Sequence, residues 1–333
     1  MLHIIDYIPD GLLESDAKDL HQILDGPTLI HLQGQRQPAV FVSALLHGNE
    51  PAGLHAVQAI LKKYQGKTLP RDLSIFIGNV SAAKQGMRHL PGQHDYNRVW
   101  MPGNSAEHEM TEIIINEMRE RGVFVSVDCH NNTGLNPHYG CVNKIDHRFL
   151  HLASMFTRTV VYFIRPQGVQ SMAFAQLCPA VTLECGKIGD PVGLQEAVNL
   201  IDGCMHMHDL PEGPVHPQDI DLFHTVAIIK VPPEFSFAFE SEEVDIRFPG
   251  SLDHMNFREL PVDTLFAQVR EKASARLEAW DEQGNEVSER FFKIENGELR
   301  TRQAVMPSML TLDEEVIRQD CLCYFMERMQ GIG

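Results

Sequence analysis

Residues 40–51 read VFVSALLHGNEP and carry an apolar run directly into a histidine, a glutamate and a proline. The apolar part, Val40–Leu46, is typical of a buried strand. Pro51 suits the first position of a helix, and apolar residues recur at helical spacing after it. His47 and Glu50 are therefore predicted on a tight turn at a strand end, where open α/β sheets place their functional sites.

The spacing of His47 and Glu50 suggests a metal site. A neutral imidazole and a carboxylate are both good ligands for a divalent cation, above all zinc. An HxxE pair also occurs on ordinary solvated turns, so further ligands have to come from other parts of the chain.

The composition is that of a globular protein and limits the classes of partner. Of the 333 residues, 43% are hydrophobic and 22% are charged, so a sizeable core is expected. The formal net charge of −17 repels nucleic acid and anionic membranes, and we expect neither as a partner. An anionic substrate would need local arginines that invert the potential in its pocket.

Three features of the sequence bear on the location of the protein in the cell. Residues 1–13 lack a basic region and a cleavage site, so no signal peptide is expected, and no apolar run is long enough to span a bilayer. The seven cysteines are scattered and odd in number, which is typical of reduced thiols. We therefore predict a cytoplasmic protein.

Strand-like and helix-like segments alternate through the first two-thirds of the chain. This pattern predicts an α/β fold, with a mixed, mostly parallel sheet and helices on both faces. Residues 1–210 form the first predicted domain, and the proline-rich segment 211–217 is a linker. Helical periodicity mostly disappears in residues 218–333, which are predicted to form a smaller β-rich domain.

Two further strand ends carry polar side chains. His130 follows the predicted strand Val123–Asp128. If this strand lies beside the one before His47, His130 completes three protein ligands, the number that catalytic zinc uses. Asp128 is then a candidate hydrogen-bond acceptor for the ligand imidazole. A loop histidine and a turn carboxylate are the simpler interpretation.

Glu184 follows a third apolar strand, predicted over Ala180–Leu183. A carboxylate beside a metal can take a proton from the attacking water. An ion pair with an arginine is the alternative role.

Arginines and an amide flank a Pro-Gly loop. Arg88 precedes this loop, and Asn97 and Arg98 follow it. One arginine can stabilise a developing oxyanion, while a second can bind a substrate carboxylate together with the amide. Arg165 follows another predicted strand and is a candidate second contact for an anion. Surface arginines are the simpler interpretation of all three.

Five motifs occur in a characteristic order. They are HGNE at 47–50, GMR at 86–88, NRVW at 97–100, DCH at 128–130 and TLECG at 182–186. The ordered set resembles the succinylglutamate desuccinylase/aspartoacylase family, a branch of the zinc-carboxypeptidase superfamily. The resemblance implies a zinc-carboxypeptidase-like hydrolase domain followed by a smaller β domain.

The resemblance implies a role for each matching residue. His47, Glu50 and His130 would bind zinc, one ion per chain. Glu184 would serve as the general base and acid, and Arg88 would hold the scissile carbonyl oxygen.

Substrate binding is implied in the same way. Asn97 and Arg98 would hold a substrate carboxylate. We therefore expect hydrolysis of the amide bond of a small carboxylated substrate, such as an N-acyl amino acid. Self-association into a homo-oligomer is left open.

Three other functions compete with this interpretation. A metallocarboxypeptidase or peptide amidase could use the same site, and a metal-binding protein could carry a catalytically degenerate one. A thiol hydrolase could use Cys129 or Cys185, although both lie in apolar surroundings where cysteines usually pack as small side chains.

Overall fold

The computed structural model describes residues 1–239, 243–270 and 275–329. Contacts divide this part of the chain into two units. The first unit contains Met1–Asn131 and His138–Leu222, and the second contains Asn132–Pro137 and residues 223–329.

The first unit is built on a mixed sheet with helices. Its strands are β1 (His3–Ile5), β2 (Thr28–Leu32), β3 (Ala39–Ala44), β4 (Leu73–Ile77), β5 (Val123–Asn132), β6 (Tyr139–Val142), β7 (Thr159–Tyr162) and β8 (Ala180–Lys187). Its helices are α1 (Ala52–Lys63), α2 (Val80–Gln85), α3 (Ala106–Arg121), α4 (His147–Ser154), α5 (Gln170–Phe174) and α6 (Pro191–His206), with a 3₁₀ turn at Ala17–Gln22. The strand order is β1-β2-β4-β3-β5-β8-β6-β7. Pairs β1-β2, β3-β4, β3-β5 and β6-β7 are parallel, whereas β2-β4 and β6-β8 are antiparallel.

Strand β3 lies between β4 and β5, and all its residues are buried. Phe41 stacks on Phe174 with 4.2 Å between the ring centroids. Burial of a central parallel strand on both faces explains why its sequence is a continuous apolar run. The predicted strand Val40–Leu46 is two residues too long at its end, because Leu45 adopts a φ of 55° and turns the chain after Ala44.

The apolar residues 73–80 are typical of a strand, but the strand in the structure is shorter than this run. Strand β4 ends at Ile77, and Asn79 caps α2 by accepting a hydrogen bond from the Ala82 N–H. A side chain that satisfies a helix N-terminus thus ends the strand before the apolar pattern does.

Polar side chains also cap two longer helices. Ser105 caps α3, and Asp190 caps α6 through the Val192 N–H. Pro51 directly precedes α1 and is its N-cap rather than its first residue.

Strands β5 and β8 are longer than predicted. The predicted ends at Asp128 and Leu183 are corrected to Asn132 and Lys187, so the polar candidates lie within the strands and not after them. Buried polar side chains interrupt the hydrophobic pattern, while backbone pairing continues; Tyr139, for example, pairs with Glu184 in the β6-β8 ladder.

The second unit is rich in β-strands. They are β9 (Asp221–Lys230), β10 (Phe237–Phe239), β11 (Ile246–Phe248), β12 (Leu265–Val269), β13 (Glu278–Trp280), β14 (Phe292–Glu295), β15 (Glu298–Thr301), β16 (Met306–Ser308) and β17 (Cys323–Arg328). Short helical turns occur at Leu252–Met255, α7 (Ser288–Phe291) and α8 (Glu314–Gln319). Strands β10-β11-β12-β15-β14 form one sheet, whereas β17 pairs with both β9 and β16 and β13 pairs with β9. Fully buried phenylalanines fill its core, and Phe266 and Phe325 meet edge to face at 5.7 Å.

The domain boundaries read from the sequence stay predictions. The segment 211–217 falls within the first unit, and the last predicted residues, 330–333, lie outside the described residues. In the described part of the chain, every helix is too short or too polar to cross a lipid bilayer.

Candidate metal centre and active site

The structure brings the predicted metal ligands together at the carboxyl ends of neighbouring strands. Strand β3 pairs in parallel with β5, with Ser43 opposite Asp128. The turn after β3 carries His47 and Glu50, while His130 lies near the end of β5. One ligand atom from each of these three residues lies within 4.8 Å of the others, and all three side chains are buried.

Gly48 allows the turn after β3 to approach helix α2 closely. A Cβ on Gly48 would lie 2.2 Å from the backbone nitrogen of Ala83. The Gly48 N–H also donates to the Arg88 carbonyl oxygen at 3.0 Å, which joins the turn to the segment that carries the predicted oxyanion ligand.

The distances within the cluster suit a metal ion. His47 Nδ1 lies 2.8 Å from Glu50 Oε1, and His130 Nδ1 lies 2.7 Å from Glu50 Oε2. The two Nδ1 atoms are 3.2 Å apart. Ligand atoms around a tetrahedral zinc, with bonds of about 2.0–2.1 Å, are separated by roughly 3.3 Å. Two imidazoles and a carboxylate in this arrangement therefore form a chemically suitable donor set for zinc.

The cluster is strongly polarised. Burial alone would raise the pKa of Glu50, but His47 and His130 hold it well below its usual range. Burial alone would lower the pKa of His130, but Asp128 and Glu50 hold it well above its usual range. The carboxylate is thus fixed in its ionised form, which is the form that binds a cation.

Each imidazole has a carboxylate at its outer nitrogen. His130 Nε2 lies 2.9 Å from Asp128 Oδ2, and Ser43 Oγ donates to the other Asp128 oxygen at 2.6 Å. His47 Nε2 lies 3.1 Å from Asp95 Oδ1. In the neutral imidazole, an Nε2–H that donates to a carboxylate leaves the Nδ1 lone pair directed at the centre of the cluster, which is the tautomer that metal binding requires. A metal would therefore have to displace the second proton of His130.

Asp95 was not identified from the sequence. Its only signal is its position two residues before Asn97, in the loop between the predicted arginines. Arg88 donates to Asp95 Oδ2 from Nε at 3.2 Å and from Nη2 at 3.0 Å. Burial would raise the pKa of Asp95, but His47 and Arg88 keep it well below its usual range.

This geometry predicts the effect of Asp95→Asn. We expect zinc affinity to fall by about 10–100-fold. The neutral amide of asparagine accepts the hydrogen bond from the His47 Nε2–H more weakly than the Asp95 carboxylate does, so it fixes the His47 tautomer less firmly. Competition titration with a metal indicator measures the affinity. The exposed control Asp25→Asn should bind zinc like the parent protein, and an unchanged affinity in Asp95→Asn would refute this role.

Arg88 lies at the edge of the cluster. Its Nη1 is 3.6 Å from Glu50 Oε1, and the side chain is largely buried. A guanidinium held by Asp95 beside the predicted ligands is well placed to meet negative charge that develops on a substrate oxygen.

Glu184 is a further acidic group near the predicted ligands. It lies on β8, is buried, and its Oε2 has no hydrogen-bond partner among the described residues. Burial raises the pKa of Glu184 to about 7, against the opposing effect of His130. A buried carboxylate with a pKa near neutrality can both accept and return a proton at physiological pH.

The two residues predicted to bind the substrate carboxylate, Asn97 and Arg98, are adjacent in the chain but differ in burial and in their contacts. Asn97 is buried; its Oδ1 accepts from the Gln170 N–H at 2.9 Å, and its Nδ2 lies 3.2 Å from His130 Nε2. Arg98 is half-buried and donates from Nη1 to the Asn97 carbonyl oxygen at 2.9 Å. Thus Asn97 contacts the metal-site histidine directly, as well as lying beside the arginine.

Arg165 lies on the connection between β7 and α5 and is half-buried. This connection packs against the segment of Asn97 and Arg98: the Trp100 N–H donates to the Gly168 carbonyl oxygen at 2.9 Å. Gly168 has a φ of +77°, and a Cβ there would lie 2.4 Å from the Arg98 carbonyl oxygen. The contact holds the Arg165 connection beside the predicted substrate residues.

Asn131 is a second residue that was not identified from the sequence. Its Oδ1 accepts from the Ala52 N–H at 2.9 Å, and its Nδ2 donates to the Gly186 carbonyl oxygen at 3.1 Å. Its backbone N–H lies 3.3 Å from Glu50 Oε2. One side chain therefore ties together the start of α1, the end of β5 and the strand that carries Glu184.

The thiols contribute little to this chemistry. All seven cysteines are buried, and none forms a disulfide bond. Burial raises the pKa of both Cys129 and Cys185 well above the usual range, which disfavours the nucleophilic thiolate. This argues against the thiol hydrolase that the sequence left open.

The fold and the site define a class of protein. Residues 36–210 match the succinylglutamate desuccinylase/aspartoacylase catalytic domain, a stretch of more than half the chain. The chain belongs to this family, as its ordered motifs predicted. Comparison with curated proteins gives no significant match.

Solved structures share the fold over nearly the whole chain. Succinylglutamate desuccinylase from Vibrio parahaemolyticus is 13% identical and has a TM-score of 0.59, covering 91% of this chain and 86% of its own. The enzyme of the same name from Chromobacterium violaceum is 16% identical with a TM-score of 0.55, covering 90% and 87%. Murine aminoacylase 3 is 13% identical with a TM-score of 0.52, covering 89% and 97%. The predicted fold class, a mostly parallel α/β sheet with helices and a separate β-rich part, is confirmed.

Proposed function

We propose that this chain is a zinc-dependent hydrolase that cleaves the amide bond of a small carboxylated substrate, such as an N-acyl amino acid. The observation that carries the proposal is the buried convergence of His47, Glu50 and His130, with ligand atoms within 4.8 Å of one another. Membership of a family named after a desuccinylase and an acylase supports the choice of reaction.

His47 and His130 would hold the ion through Nδ1, and Glu50 through its carboxylate. A zinc ion bound there would supply Lewis acidity, which acidifies a water molecule and polarises the scissile carbonyl. No other cofactor is needed for the hydrolysis.

Glu184 performs the proton transfers in this proposal. Its ionised carboxylate accepts a proton from the attacking water as the new C–O bond forms. It then delivers this proton to the amide nitrogen as the C–N bond breaks, so that a carboxylic acid and an amine are released. Arg88 donates to the negative oxygen of the tetrahedral carbon.

Substrate binding draws on the neighbouring arginines. In a chain with a formal charge of −17, an anionic substrate needs local positive charge. We assign Asn97, Arg98 and Arg165 to the substrate carboxylate. An Arg98 guanidinium that can bind two carboxylate oxygens gives orientation as well as affinity.

Arg88→Ala should lower kcat by about 10²–10³-fold, because one donor to the oxyanion is lost. Bound zinc should remain, since Arg88 is not a ligand. Steady-state kinetics and metal analysis of the same preparation measure both quantities. Arg119→Ala, an exposed position on α3, is the control and should leave both unchanged. An Arg88→Ala enzyme with full kcat would disprove the assignment.

A substrate screen tests the proposed function. The purified protein is loaded with zinc and assayed on N-succinylglutamate, N-acetylaspartate and other N-acyl amino acids, against short peptides with a free carboxyl end. We expect release of the amine from an N-acyl amino acid, loss of this activity with a chelator, and recovery with zinc. Preference for peptides would instead identify a metallocarboxypeptidase or peptide amidase. Zinc binding without turnover of any substrate would identify a catalytically degenerate site.

We also propose a cytoplasmic location, which is supported by buried cysteines that form no disulfide bonds. Self-association into a homo-oligomer stays open.

A further inference from the structure

A cleft of about 990 Å³ opens at the other end of the first unit's sheet. Pro38, Val123 and Pro179 line it, and these residues lie at the amino-terminal starts of β3, β5 and β8. The predicted catalytic groups lie at the carboxyl ends of the same strands. Val123 and His130 are 130 − 123 = 7 residues apart on β5, which places them about 23 Å apart at roughly 3.3 Å per residue. The cleft is therefore separate from the candidate metal centre.

Arg71 lies at the base of this cleft and is 2% exposed. Nη1 donates to the Pro38 carbonyl oxygen at 2.9 Å, and Nη2 donates to the Met207 carbonyl oxygen at 2.7 Å. Its guanidinium lies 4.1 Å from the centre of the Phe124 ring. The Nε donor is buried and has no hydrogen-bond partner among the described residues.

Besides Arg148, which pairs with Asp146, two further cations line the same cleft. Arg36 is exposed and donates to the His206 carbonyl oxygen at 3.1 Å, whereas Lys144 is half-buried and donates to the Ala175 carbonyl oxygen. Within the described ranges, neither these two nor Arg71 has a carboxylate within 4.0 Å. These three positive side chains are thus held by hydrogen bonds to backbone carbonyls and not by direct ion pairs.

The cleft also contains acidic residues. Asp146 pairs with Arg148 at 3.4 Å, whereas Asp209, which lies 2.5 Å from His208, also acts on the charge of Arg71. Glu212 also lines the cleft. In a chain with a formal charge of −17, cations gathered at one cleft create a local field of the opposite sign.

The positive charges of Arg71 and Arg36 repel each other. Burial and the positive charge of Arg36 lower the pKa of Arg71, and the negative charges of Asp209 and Asp72 offset this only in part. A bound anion would offset both effects by placing negative charge between the two guanidinium groups.

We propose that this cleft is a second binding site, for a small organic anion whose carboxylate or phosphate group contacts Arg36, Arg71 and Lys144. Arginine forks match both kinds of oxyanion, and a lysine adds a point charge. Phe124 and Leu177 form an apolar wall against which the body of the ligand packs. The site does not depend on the proposed hydrolase activity.

Calorimetric titration with two matched probes tests the proposal. Phenyl phosphate and benzoate share an aromatic body but differ in the anionic group, so they distinguish phosphate from carboxylate recognition. The full chain is titrated at low ionic strength, without added zinc or substrate. We expect at least one probe to bind saturably at concentrations below about 1 mM, and its affinity to weaken with salt.

Variants locate the binding. The double variant Arg36→Gln, Lys144→Gln should lose affinity about tenfold or more, because two charge-assisted contacts are removed. Arg119→Gln, which makes the same charge change on α3, and Arg88→Ala should bind like the parent. Because Arg36 is exposed, the single variant Arg36→Gln gives a second reading should the double variant be unstable. Absence of saturable binding up to about 10 mM, or a loss of affinity in Arg88→Ala but not in the cleft variants, would overturn the proposal.

Discussion

Glu184→Gln should lower kcat by about 10²–10⁴-fold, because glutamine cannot accept the proton of the attacking water or return it to the amine. Zinc should remain bound, since Glu184 is not among the three predicted ligands. Burial raises the pKa of Glu184 to about 7, so the ionised base becomes more abundant as the pH rises towards neutrality. The parent enzyme should therefore gain activity over that range, and the variant should lose this rise.

The control for this experiment is Glu112→Gln, the same chemical change at an exposed position of α3. It should keep the kcat and the pH profile of the parent. Metal analysis and thermal melting of both variants separate a loss of chemistry from a loss of zinc or of folding. A Glu184→Gln enzyme with parental kcat would show that another group acts as the base.

Glu50→Gln should reduce zinc affinity by more than about 100-fold, and activity should fall in proportion to the zinc lost. Changes to groups that only orient a ligand already cost about 10–100-fold, and here a charged ligand itself is removed. The change keeps the size of the side chain, so the surrounding packing is preserved. Competition titration with a metal indicator gives the affinity, and kinetics at increasing zinc concentration give the recovery of activity.

Two comparisons make this result interpretable. Glu112→Gln should bind zinc like the parent protein, and Glu184→Gln should lose activity without losing zinc. If Glu50→Gln bound zinc as tightly as the parent, the ion would be held by other residues. If it lost zinc but kept full activity, hydrolysis would not depend on the metal.

Much of the fold and part of the site could be predicted from the sequence. His47 and Glu50 are close in the chain, so their turn needed only the apolar run before it and the helical pattern after it. His130 could be added because alternating strands and helices imply parallel neighbours, and β3 and β5 are indeed paired. Asp128 followed from its position two residues before His130.

The other site residues and the strand ends depend on contacts between distant parts of the chain, which a local sequence pattern does not show. Asp95 lies in an irregular loop, and its contact with His47 spans 48 residues. The Asn131 side chain acts through backbone groups of two separate elements, the Ala52 N–H and the Gly186 carbonyl oxygen. The ends of β5 and β8 were missed because Asp128 and Glu184 interrupt the apolar pattern within buried strands.

The cationic cleft could not be predicted for a related reason. Arg36, Arg71 and Lys144 come from separate connections of the chain, and each by itself is an ordinary surface-type residue. Only the folded sheet brings them to one end, opposite the acidic and imidazole groups of the candidate active site.

The most direct test of the central claim is an anomalous-scattering map, recorded at the zinc edge from crystals of the zinc-loaded protein. We predict one peak bonded to His47 Nδ1, His130 Nδ1 and the Glu50 carboxylate, at about 2.0–2.2 Å from each. Both Nε2 atoms should remain on Asp95 and Asp128. A map with no peak among these residues, or with the ion bound elsewhere in the chain, would contradict the account.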